Sequence, residues 1–138
     1  MIKNSVVVDD GTVYIYPKFA FPLLENGEAV LLDIRTEYEY SYKKFDVKET
    51  IFLPFNDFNL NILDQFKGRL IIIADSFGLE SKKVFPILKM NNFNVICLAC
   101  GMHDWERDGL PVILSKDFQV SGVCRCQLKP SKLISENN

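Results

Sequence analysis

The chain has 138 residues and a hydrophobic content of 48%, enough for one domain of ordinary size with a buried core. Its 16 basic and 18 acidic residues leave a formal charge of -2, so no positive field collects a nucleic-acid backbone or an anionic bilayer. No apolar run approaches the roughly 20 residues of a spanning helix, and Met1 to Asp10 lacks the basic-then-apolar layout of a secretion signal, so a cytoplasmic protein is expected.

Ser5 to Asp9 and Thr12 to Tyr16 are β-rich runs separated by Asp10-Gly11, a pair suited to the positive φ angles of a hairpin turn. Pro17 opens a helix to about Glu25, and Asn26-Gly27 ends it. Ala29 to Ile34 is a continuous apolar run containing Asp33 and followed by Arg35, the pattern of a strand covered on both faces. Thr36 is placed to cap a short helix through Tyr42, with Glu37 and Glu39 favouring its positive end. Thr50 to Leu53 is a strand stopped by Pro54, and Asn59 to Phe66 a helical candidate closed by Gly68. Leu70 to Ala74 is the strongest strand, and it runs into the loop Asp75-Ser76-Phe77-Gly78-Leu79-Glu80-Ser81. Val84, Phe85, Ile87 and Leu88 then recur at helical spacing up to Met90, before Phe93 to Leu98 returns to strand character. Alternation from Ala29 to Leu98 builds parallel strands joined by right-handed crossovers, and ligands of such sheets meet the loops at the carboxyl ends of the strands. Asp33 to Arg35, the Asp75 loop and Cys100-Gly101 all follow strand ends and are expected close together.

The four cysteines all lie in the last third of the chain and are too sparse for a disulfide scaffold. Cys97-x-x-Cys100 with Cys124-x-Cys126 would offer zinc four soft ligands, and His103 adds a nitrogen near the first pair, although it reads more simply as a turn residue. The plain alternative for Cys97 is a small hydrophobe in an apolar strand, whereas Cys100, Cys124 and Cys126 fall in turn or tail segments suited to exposure. Residues 1–114 read as one domain and residues 115–138 as a cysteine-containing tail.

Several segments, in the right order, resemble the rhodanese family. Leu31-Leu32-Asp33-Ile34-Arg35-Thr36 with Glu39-Tyr40 is similar to its aspartate-x-arginine strand end and the acidic helix behind it, and Ile51 to Pro54 to the apolar run that follows. Ile71 to Ser81 resembles the strand and active loop, and Asn94-Val95 through Gly101, Trp105, Gly109 and Pro111 resembles the closing strand, turn and ending. The resemblance implies an α/β three-layer sandwich with a central, mostly parallel sheet and helices on both faces.

The resemblance also implies where sulfurtransferase chemistry would sit, and this chain departs there. The family holds a cysteine thiolate at the head of a loop of backbone N–H groups, which lower its pKa and stabilise the persulfide. Here that position is Asp75, and the loop's usual arginine corresponds to Glu80. A carboxylate cannot carry sulfane sulfur, and two acidic positions would repel thiosulfate and suit a cation better. The usual histidine, glycine and alanine before the second strand correspond to Asp46, Glu49 and Thr50, and the first glycine of the closing turn is Cys100. Asp33 and Arg35 are retained and read as a structural ion pair, and Asp75 itself reads as a helix cap ahead of any catalytic or metal role.

The leading expectation is a catalytically impaired rhodanese-like module that binds a protein partner or acts in regulation, with no cofactor, nucleic acid or membrane. Phe45, Phe52, Phe55 and Phe58 are candidates for an apolar surface, with core the expected fate of two or more. The alternatives are sulfur relay or thiol redox from Cys100 to Cys124 or Cys126, and a structural zinc site built from the four cysteines.

Overall fold

The computed structural model describes residues 5–115. The chain begins with strands β1 (Val6–Asp9) and β2 (Thr12–Ile15), a hairpin whose turn residues Asp10 and Gly11 take φ values of 53° and 81°. Helix α1 (Pro17–Glu25) follows, with Pro17 in its first turn, where a missing N–H costs no hydrogen bond. Next come β3 (Ala29–Asp33), α2 (Glu37–Tyr42), β4 (Lys43–Phe45) and β5 (Thr50–Phe52), and then β6 (Leu70–Ala74), α3 (Ser81–Met90), β7 (Asn94–Leu98), α4 (Gly101–Arg107) and β8 (Val112–Leu114).

Six strands form one sheet in the order β1-β2-β7-β6-β3-β5, parallel apart from the β1–β2 pair. Side-chain alternation gives each central strand two buried faces. Val30, Leu32, Ile71, Ile73, Val95 and Cys97 join a core with Leu63 and with Val84, Phe85 and Leu88 of α3. On the opposite face α1 packs on β3 and α4, and Trp105 of α4 is fully buried. Its ring meets Phe21 and Phe45 edge-on at 5.7 and 5.2 Å, and its indole N–H donates to the Pro111 carbonyl at 2.8 Å. The fold is thus the α/β sandwich expected from the sequence. A second, smaller compact unit joins residues 38–44 to the described residues from Val112 onward. There β4 pairs with β8, and the Ser115 N–H donates to the Tyr42 carbonyl.

The structure corrects three expectations. The helical candidate near Asn59 is a 3-10 helix, Leu60–Phe66, because the Asn59 side chain accepts the Asn61 N–H and i to i+3 bonds tighten both ends. Ile87 is 42% exposed: the buried stripe of α3 runs through Ser81, Val84, Phe85 and Leu88, and Ile87 stands off it. His103 lies on helix α4 instead of in a turn. Core as the fate of two or more of Phe45, Phe52, Phe55 and Phe58 is borne out, since Phe45 is buried against Trp105 while Phe55 and Phe58 pack on the core. Among the described residues, no helix is long and apolar enough to cross a membrane.

Candidate functional site

Strand β6 ends between β3 and β7, so the residue after it enters the loop from the middle of the sheet. That residue, Asp75, is 2% exposed. Its Oδ1 accepts the Gly78 N–H at 2.6 Å, and its Oδ2 accepts the N–H groups of Glu80 and Ser81, each at 2.8 Å. A ring of backbone amides on the lip of a helix is a ready-made anion site, and here the chain supplies the anion itself. Burial pushes the Asp75 carboxyl above its ordinary pKa, and the three amide bonds pull back against that rise.

The loop rests on the turn that opens α4. The N–H of Met102 donates to the Asp75 carbonyl at 2.8 Å and that of His103 to the Ser76 carbonyl at 3.0 Å, so two free amides at the start of α4 are satisfied by the loop. A Cβ at Gly101, which has φ +53°, would run into the Asp75 carbonyl oxygen, and one at Gly78 would come within 3.0 Å of the Cys100 backbone. Cys100 takes the left-handed conformation at φ 55°, where a glycine is normally favoured. The glycine expected there from the family pattern is thus explained by backbone geometry.

Both described cysteines lie near this loop, in unlike surroundings. Cys97 is wholly buried beneath it, and burial pushes its thiol up to about 12, with Asp75 nearby adding to the rise and Ser81 opposing it. The buried Ser81 hydroxyl lies within electrostatic reach of both Asp75 and Cys97 yet makes no hydrogen bond of good geometry. Cys100 is exposed, but partial burial and the Asp104 carboxylate hold its thiol above its ordinary pKa, against the pull of Arg107. Asp104 also stands 3.0 Å from His103 Nδ1 and 3.3 Å from Arg107. Neither thiol has the electropositive cradle that makes a reactive thiolate. Cys124 and Cys126 lie outside the described residues, and among the described residues no group of three His, Cys, Asp or Glu side chains is arranged to hold a metal ion.

Asp33 and Arg35 form a buried, two-pronged pair: Nε donates to Oδ1 at 2.9 Å and the terminal nitrogen to Oδ2 at 2.7 Å. The guanidinium also covers the Phe45 ring at 5.1 Å. Glu80, which the resemblance sets against the family's arginine, has a 48% exposed side chain that approaches Lys83 at 3.6 Å. Of the two acidic positions, Asp75 is buried and Glu80 is on the rim. Phe77 and Leu79 project from the loop, 62% and 61% exposed, with the Phe77 ring 5.7 Å from that of His103. The sequence reading missed Asp104, although its place four residues after Cys100 would have marked it once α4 was recognised.

A mostly parallel sheet flanked by helices, with an amide-lined loop after a central strand, places the protein in the α/β class. The chain belongs to the rhodanese-like domain family, whose model matches residues 22–108. It is 30% identical over 100 residues to the thiosulfate sulfurtransferase GlpE of Actinobacillus pleuropneumoniae, covering 71% of this chain and 90% of that protein. It is also 32% identical over 102 residues to the tRNA uridine(34) hydroxylase of Buchnera aphidicola, covering 69% of this chain but only 32% of that protein's length. The structure of a rhodanese-related protein from Thermoplasma volcanium superposes with a TM-score of 0.62 at 17% identity, over 73% of this chain and 97% of that one.

Proposed function

We propose that this chain is a rhodanese-like module that does not turn over sulfur and that acts by binding a protein partner, with no zinc or other cofactor required. The observation that carries this reading is the Asp75 carboxylate seated on the amides of Gly78, Glu80 and Ser81. Sulfur transfer on this fold needs a thiolate where that carboxylate sits, since only sulfur can accept a sulfane atom and release it to an acceptor thiol. An external anion would meet the same amides already engaged, beside a negative charge. The raised thiol pKa values of Cys97 and Cys100 leave no ready substitute nucleophile among the described residues.

The test is incubation of the full chain with thiosulfate and cyanide, reading thiocyanate release, followed by intact and peptide mass spectrometry. Neither thiocyanate nor sulfur-loaded cysteine is expected. Added sulfur on Cys100, Cys124 or Cys126 would replace this reading with a sulfur relay, and bound zinc in elemental analysis would replace it with a metal site.

A further inference from the structure

The chain contains one histidine, the side chain whose ordinary titration falls between about pH 5 and 8. This residue, His103, stands at the rim of the loop after β6. Its backbone N–H donates to the Ser76 carbonyl at 3.0 Å, and its ring lies 5.7 Å from the Phe77 ring, with 40° between the planes. Its Nδ1 is 3.0 Å from a carboxylate oxygen of Asp104. A carboxylate only accepts, so Nδ1 carries its hydrogen whether or not the ring is charged, and the proton gained or lost is the one on Nε2. The side chain is 60% exposed, so solvent exchanges that proton freely.

Phe77 is anchored through its backbone on both sides. The carbonyl before it is held by His103, and the N–H after it, on Gly78, donates to Asp75 at 2.6 Å. Its side chain, on a residue 62% exposed, is the part left to move, between the imidazole and open solvent. The charged neighbours of the imidazole on α4 are Asp104 and Arg107, which share one carboxylate. On the loop and α3, Asp75 is engaged by its amides and Glu80 faces Lys83 at 3.6 Å. The Cys100 thiol, raised above its ordinary pKa by burial and Asp104, stays protonated near neutral pH.

We propose that protonation of His103 holds the Phe77 ring against α4 and that loss of the proton releases it, so the aromatic at the mouth of the loop is fixed when the imidazole is charged and free when it is neutral. An imidazolium within about 6 Å of an aromatic ring gains a cation–π attraction that the neutral ring lacks. At an exposed site that gain changes the ratio of docked to free ring about two- to fivefold. The device is a side-chain rotamer and needs no backbone movement. It goes beyond the binding reading above and does not depend on it, because the ring responds to pH whatever meets it.

The test is a titration of the full, isotope-labelled chain from about pH 5 to 8.5, read by NMR. The Phe77 ring shifts and the cross-relaxation between the two rings should follow the His103 ring protons with one shared midpoint, and the ring contact should weaken about two- to fivefold as pH rises. In His103→Gln, which keeps the backbone N–H, the pH response of Phe77 should vanish while the Ser76 and Gly78 amides stay in place. Linkage is reciprocal, so Phe77→Ala should move the His103 midpoint to lower pH, the charged ring having lost the contact that favours it. The proposal is overturned if Phe77 does not track His103, if its pH response survives in His103→Gln, or if Phe77→Ala leaves the His103 midpoint unchanged or raises it. None of these outcomes touches the sulfur-loading result, which alone decides the non-catalytic reading.

Discussion

Neighbouring strands β3 and β6 each lead to a buried acid, Asp33 at the end of β3 and Asp75 just after β6, but the two carboxylates are held in different ways. Asp33 is fully buried against the guanidinium of Arg35, so its charge is met by a charge. Asp75, one strand across, is met only by neutral amides of its own loop. The first arrangement ties one strand end together by ion pairing. The second uses up an anion site from within, so neighbouring strand ends are held by different means.

The comparison can be broken most severely at the ion pair. Asp33→Asn strands the Arg35 guanidinium, whose side chain is 3% exposed, and should cost about 3–5 kcal/mol in urea unfolding. A loss below about 1 kcal/mol would show that water reaches the guanidinium and that the pair is not sealed. Asp75→Ala should cost less, about 1–3 kcal/mol, because it orphans three N–H groups but leaves no buried charge behind. Sulfate should recover more stability in that variant than in the parent, since the emptied amides regain an acceptor.

A pH series sharpens the contrast further. Burial lifts Asp75 above its ordinary value of 3.8, so the folded chain holds that proton to higher pH than the unfolded chain does. Its contribution is complete below 3.8 and is lost as pH rises through the folded value, so unfolding free energy should fall with rising pH over that window. Asp75→Asn should flatten this part of the slope. A rising slope instead would mean that the amide bonds outweigh burial. The smallest expected effect is at the turn beneath the loop. Cys100→Gly relieves the positive φ and should stabilise the chain by about 0.5–1 kcal/mol in thermal or urea melts, unless the thiol's own contacts matter more.

Much of the framework was legible because long apolar runs and turn pairs act locally. The runs Ala29 to Ile34 and Leu70 to Ala74 had to be covered strands, and Asp10-Gly11 had to turn. Strands β4 and β8 escaped notice because three residues carry no period, and α4 escaped because Gly101 and His103 suggest a turn before Trp105 reveals a buried face. At the site, Asp75 was visible in the sequence as the head of the loop after β6. The direction of Glu80 was not, since a rim residue is free to choose Lys83 over the loop interior.

Trp105 is the only tryptophan in the chain, and it lies one helical turn behind the two amides that α4 lends to the loop. Its emission is therefore a built-in optical reporter. Any event that unseats Asp75 and Ser76 must disturb the helix carrying that indole, so loop movement can be followed without attaching a dye.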